Sequence, residues 1–181
     1  MKPKQWRDQL FRGSKPNVRP LDLINEQGYG ADMGYLWAAY KTGSFEIDQG
    51  LSQEEFAAKI IDYLTSYDYA WMIEDRNAKF QNKIGPVGWV AATFNGWELN
   101  PHFDKFSWAT PRNIMRANVA FLQMMKYRKE IGVLVLWCMQ EYTEFYKRLK
   151  KYGVLNYVGK IPRGDRRGDK YEFYINGRKR A

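Results

Sequence analysis

The chain has one cysteine, Cys138, and one histidine, His102, among its 181 residues. That scarcity excludes a disulfide framework and any metal site built from clustered Cys and His, so no metal is expected. Long hydrophobic runs are missing as well. None reaches the ~18 apolar residues of a membrane span, so no membrane partner is expected. The basic N-terminal stretch lacks the apolar core and small-residue cleavage site of a secretory signal, which argues against secretion by a signal peptide. Glycine is absent from position 97 to position 131, so no loop in that interval can expose its backbone through glycine. Cys138 lies in the apolar run ValLeuValLeuTrpCysMet, where a small buried hydrophobe is a better reading than a nucleophile.

What is present suits one folded unit. The length fits a single domain, and 45% hydrophobic residues, with 17% aromatics, can fill its core. The net charge of +9 sits at the two ends. Residues 1–19 hold six Lys or Arg against one acid, and residues 160–181 hold eight against three. The expected organisation is a basic N-terminal arm at 1–16, a folded domain over 17–176 and a basic tail at 177–181. Such ends suit acidic partners, either neighbouring proteins or nucleic acid. Arg163, Arg166, Arg167, Arg178, Lys179 and Arg180 are the candidate contacts, each able to release counterions from a phosphate backbone.

Patterning predicts a strand over 17–24, a turn at 27–32, a short helix over 33–40 and a loop at 43–50. A second helix starts at Ser52, which with Glu55 forms the Ser-x-x-Glu capping box, and its apolar positions Phe56, Ile60 and Leu64 recur at helical spacing. Strands are predicted at 69–73 and 85–94 with a turn at 76–79. AsnGly at 95–96 signals a hairpin that returns over 97–108. Thr110 before Pro111 is a helix cap followed by the one helical position that tolerates proline, so a helix should run to about Arg128. The apolar run at 131–139 has the pattern of a central strand covered on both faces. A helix over 141–152, a strand at 155–158, a loop at 162–169 and a strand at 170–175 complete the reading.

This order of elements resembles the GNAT acetyltransferase superfamily from about Asn17 to Ile175. GlyProValGlyTrpVal at 85–90 is similar to a strand of that family, and LeuLysLysTyrGlyVal at 149–154 is similar to its last helix end. The resemblance implies an α/β fold: a single GNAT-like domain with a central mixed, mostly antiparallel, twisted sheet flanked by about four helices. In that family a loop of form Arg/Gln-x-x-Gly-x-Gly/Ala cradles the pyrophosphate of acetyl-CoA on backbone amides and a helix N-terminus. Here the equivalent place reads PheSerTrpAlaThrProArgAsn, 106–113, without glycine. If acyl-CoA binds, the resemblance assigns its pyrophosphate to Thr110, Arg112 and Arg116. The family's tyrosine acid would fall at Leu149, and the substitute is Tyr146, one helical turn earlier, on an apolar face that more often holds a core ring. TyrArgLys at 127–129, LeuTrpCys at 136–138 and LeuLysLysTyrGly at 149–153 are similar to small GNAT-like virion proteins of short-tailed bacteriophages.

Two further candidates come from the residues themselves. Glu98, His102 and Asp104 have even spacing and share one face of a strand, an arrangement suited to base catalysis or an iron-type facial site, although Asn100 and Pro101 predict a bulge that breaks the register. Glu74 and Asp75 end a strand where the family often holds a base for its acceptor amine. Three functions remain open. The favoured expectation is a catalytically degenerate phage protein, needing no cofactor, that works as a virion or assembly component in the virion or host cytoplasm. The alternatives are an acetyl-CoA-dependent N-acyltransferase and a nucleic-acid binding or modifying protein.

Overall fold

A computed structural model describes residues 10–11, 14–26, 28–45, 47–81, 83–138, 143–151, 154–163 and 166–174. Along the chain these residues form β1 (Asn17–Pro20), β2 (Ile24–Asn25), β3 (Gly28–Tyr29), α1 (Ala31–Lys41), α2 (Gln53–Thr65), β4 (Tyr69–Phe80), β5 (Lys83–Phe94) and β6 (Glu98–Lys105). They continue with α3 (Pro111–Met125), β7 (Val133–Cys138), α4 (Thr143–Lys151), β8 (Asn156–Arg163) and β9 (Arg166–Tyr174). Seven strands make one sheet in the order β1-β4-β5-β6-β7-β9-β8, with β2 and β3 as a separate small hairpin. Every pairing in the large sheet is antiparallel except that of β6 with β7. The expected α/β architecture, a mostly antiparallel mixed sheet with four helices among the described residues, is the one observed.

Local chemistry explains the elements that position the site. Both halves of the Ser52–Glu55 capping box form, and α3 opens on a second box in which the Thr110 and Asn113 side chains satisfy each other's amides. Asn95 and Gly96 reverse the chain between β5 and β6, with Gly96 at φ 84°, where only glycine is unstrained. The helices cover both faces of the sheet. On one face α3 buries Val119, Leu122 and Met125 against Val90, Leu99 and Leu134, and Leu149 of α4 joins the same cluster. On the other face α1 and α2 bury Leu36, Tyr40, Phe56 and Ile60 against Met72, Trp89 and Ala91.

Several expected boundaries move. The strand expected over 17–24 stops at Pro20, and Ile24 instead pairs with Tyr29 in the small hairpin. The turn expected at 76–79 lies within β4. Its polar residues make a register shift between Asp75 and Lys79, with the Asp75 carboxylate accepting the Asn77 amide at 3.0 Å, and the chain reverses only after Phe80. Pro101 breaks nothing: β5 and β6 stay in register from Phe94↔Leu99 to Gly88↔Lys105. Much of the loop expected at 162–169 is ladder, with Pro162↔Arg167 and Arg163↔Arg166 paired at the end of the β8–β9 hairpin. Alternation extends further there than composition suggests because the two strands supply each other's hydrogen bonds.

Candidate active site

β6 and β7 run parallel but pair only at Glu98↔Val133 and Leu99↔Leu134. Beyond those two positions the strands part, and a cavity of about 570 Å³ occupies the gap. Their closed end is tight. Gly132 donates its amide to the Trp97 carbonyl at 2.9 Å, and a Cβ on Gly132 would lie 2.0 Å from the Trp97 ring. Among the described residues no ladder pair joins β6 from Asn100 to β7 from Val135.

The slot passes through the sheet. Leu99 and Phe103 point to the α3 face, whereas Asn100, His102 and Asp104 alternate to the face of Trp89 and Ala91. From the first side the slot is lined by Asn118 of α3 and by Phe145 and Tyr146 of α4. From the second it is lined by His102 and by Ser66 and Tyr67 at the end of α2. His102 is about half exposed, and its Nε2 lies 3.2 Å from an Asp104 carboxylate oxygen. That contact orients the imidazole. Beside it the Tyr63 and Tyr67 hydroxyls share a hydrogen bond of 2.8 Å. The Tyr63 phenol is pushed above its ordinary value, first by burial, then by that bond, with the charge of Asp104 adding to the effect, so it stays neutral at physiological pH. Tyr146 is half-buried, its ring 5.1 Å from that of Tyr171.

The turn between β6 and α3 is built differently. The Phe106 amide donates to the Val87 carbonyl, Ser107 to Ser44 Oγ, and Ala109 to the Phe106 carbonyl. The Thr110 amide donates to Asn113 Oδ1, Asn113 to Thr110 Oγ1, and Ile114 to the Thr110 carbonyl. Aromatic rings cover the turn: Trp108 lies 4.4 Å from Phe80 and 4.7 Å from Phe106, centroid to centroid, and its indole N–H donates to the Pro86 carbonyl.

Of the residues assigned to a pyrophosphate, Thr110 is the helix cap and Arg112 is exposed. Arg116 is fully buried and turned inward, with Nε 2.6 Å from Asp75 Oδ2 and further bonds to the Leu10 and Ser14 carbonyls. The inward turn corrects the expectation for Arg116: Asp75, also fully buried, has captured the guanidinium that sequence placed at the loop. Asp75 additionally accepts from Asn77 and Asn113. This pairing was hidden in the sequence because its partners lie 41 positions apart.

Glu74 does not reach the slot. It pairs with Arg19 at 2.8 Å on the β1–β4 side, beyond β5. Arg19 also makes a bidentate pair with buried Asp32, both contacts 2.7 Å, which raises the guanidinium pKa further above its ordinary value. Among the described residues, no group of His, Cys, Asp and Glu could hold a metal ion. The facial site imagined for Glu98, His102 and Asp104 therefore does not assemble, because alternate strand positions spread the outer two roughly 20 Å apart. Arg163, Arg166 and Arg167 stand at the end of the β8–β9 hairpin, and Arg178, Lys179 and Arg180 lie outside the described residues. No helix among the described residues is long and apolar enough to cross a membrane. Sequence reasoning missed the Tyr63–Tyr67 pair, whose i,i+4 spacing at the end of α2 was the available signal.

No protein-family model matches the chain, and no curated protein matches it by sequence. Solved structures do. A ribosomal L7/L12 α-N-protein acetyltransferase in complex with coenzyme A superposes with a TM-score of 0.63 at 12% identity, covering 92% of this chain and 97% of its own. The aminoglycoside N-acetyltransferase AAC(6')-Ib11 gives 0.61 at 8% identity, covering 89% and 97%. A chimeric spermidine N-acetyltransferase from Vibrio cholerae gives 0.59 at 10% identity, covering 90% and 97%. The fold is that of the GNAT acetyltransferases. These likenesses overturn the expectation of a non-catalytic virion or assembly component, since the solved proteins named above are acetyltransferases and the alternative, an N-acyltransferase, agrees with them better. The phage-type likeness gains no support from them, nor does the expectation of no cofactor, because one of them holds coenzyme A.

Proposed function

We propose that the protein is an N-acyltransferase that moves an acyl group from a thioester donor to an amine across the slot between β6 and β7. The observation that carries this reading is that one slot through the sheet is lined by His102 from one face and Tyr146 from the other. A donor thioester entering on the α3–α4 side brings its sulfur toward Tyr146, and an amine approaching on the α2 side meets His102. The amine nitrogen attacks the acyl carbon, an N–C bond forms and the C–S bond breaks. The proton leaving nitrogen passes to the His102 imidazole, and the departing sulfur takes a proton from the Tyr146 hydroxyl. The parted strands hold the two reactants in line and keep bulk water from the acyl carbon.

The slot fits the thioester arm of coenzyme A: its volume lies in the range of small-molecule sites, and its strand edges can pair with amides along an extended arm. The turn at 106–113 does not match the family's amide cradle. His102→Ala should lower kcat by about 100-fold and Tyr146→Phe by about 10-fold, within the range for general acid–base groups. The test measures thiol release from acetyl-CoA over a panel of primary amines. Activity indifferent to both substitutions would remove the slot as the catalytic centre.

A further inference from the structure

Resting on the acyltransferase reading, we propose that this enzyme recognises its donor by the pantetheine thioester arm alone and makes little use of the nucleotide diphosphate. A backbone cradle for a diphosphate needs amides that point outward and carry no protein acceptor. Between Phe106 and Ile114 six of the eight amides already donate to protein oxygens, and Pro111 has none to give. The turn is also closed sterically. Trp108 stacks on Phe106 and against Phe80, while Thr42 Oγ1 at the end of α1 meets Ser107 Oγ at 2.8 Å. Releasing those amides would break the cap of α3 and the contact with α1 together.

Side-chain cations do not restore the grip. Arg116, the cation best placed by sequence, is buried on Asp75. Arg112 is exposed, and an exposed cation holds a phosphate only weakly and in a salt-dependent way. The slot, by contrast, keeps what an arm with two amides would use: room between two strands whose ladder, among the described residues, ends at Leu99↔Leu134, the polar side chain of Asn100, and the Oδ1 of Asn118, whose Nδ2 is held by the Ile114 carbonyl. Recognition has moved from the turn to the slot. The same chemistry is offered by a small free thioester and by a phosphopantetheine arm on a carrier protein.

Calorimetric titration of the full-length protein with acetyl-CoA, S-acetylpantetheine, adenosine 3′-phosphate 5′-diphosphate and an acetylated phosphopantetheine carrier protein tests this. Acetyl-CoA and S-acetylpantetheine should bind within about tenfold of each other, and the nucleotide should show no saturable binding at millimolar concentration. A preference for acetyl-CoA over S-acetylpantetheine of about 100-fold or more, or binding of the nucleotide by itself, overturns the inference and leaves the acyltransferase reading standing. Failure of every thioester to bind removes both. Tighter binding of the carrier than of S-acetylpantetheine supports the inference with a protein-borne donor, and equal binding supports it with a free one. Thr93→Trp, which fills the slot from an exposed lining position, should abolish thioester binding while circular dichroism stays native; binding that persists in this variant places the arm elsewhere and overturns the inference.

Discussion

The slot and the turn that follows it lie end to end on β6, and the chain treats their polar groups in opposite ways. Along the slot the ladder among the described residues stops at Leu99↔Leu134, and a cavity opens between the two strands. At 106–114 six of the eight amides are claimed by neighbouring oxygens, some as distant in sequence as Ser44 and Val87. Every buried backbone group needs a partner, so a region that supplies its own partners has fewer to offer a ligand. On the proposed reading, donor recognition lies in the strands and the turn has a structural role.

Removing the foundation under the turn breaks the contrast most severely. Arg116→Ala leaves the Asp75 carboxylate buried beside only its asparagine donors and strips the Leu10 and Ser14 carbonyls of theirs. We expect a loss of about 3–5 kcal/mol in urea unfolding, the usual consequence of breaking a buried pair. A loss under about 1 kcal/mol would mean that the turn does not rest on this pair. The closed end of the slot comes next. Gly132→Ala sets a methyl group into the Trp97 ring and should cost about 1–3 kcal/mol as overpacking, with the change in thioester affinity reporting how far the two strands shift.

The smallest effect sharpens the comparison through its pH dependence. Thr110→Ala removes a neutral cap and should cost about 1 kcal/mol, equally at pH 4 and pH 7, since its partner Asn113 does not titrate. The Ser52 box on α2 behaves otherwise. Hydrogen bonds with Ser52, backbone first and side chain second, hold the Glu55 carboxyl below its ordinary value. A depressed carboxylate stabilises the fold above its unfolded pKa, and that stability is lost as pH falls through the folded pKa. The stability difference between the native protein and Glu55→Ala should therefore shrink on acidification below the normal glutamate range, while the Thr110→Ala difference stays constant.

Helices were the most legible part of the fold. Ser52, Glu55, Thr110 and Pro111 mark helix starts by short-range bonding, and the structure caps both helices where those residues stand. The apolar run around Val133–Cys138 lies between β6 and β9 as an interior strand. Turn chemistry was less reliable. AsnGly at 95–96 does reverse the chain, whereas ArgAsnAlaLys at 76–79, with similar polarity, makes only a bulge because β5 continues to pair on its far side. In the site, the strand face shared by His102 and Asp104 followed from alternation, and Pro101 left it intact because the β5 pairing holds its register.

By itself the sequence determined the order of the main strands and helices, the caps that start α2 and α3, and the lack of any glycine between positions 97 and 131. Each of these follows from neighbours within a few positions. Tertiary structure alone decided that Arg116 faces Asp75 rather than solvent, that β6 and β7 part after two pairs, and that His102 and Tyr146 line one slot. Those outcomes depend on partners far apart in sequence, and a charged or polar side chain carries no local signal of which distant group will satisfy it once water is excluded.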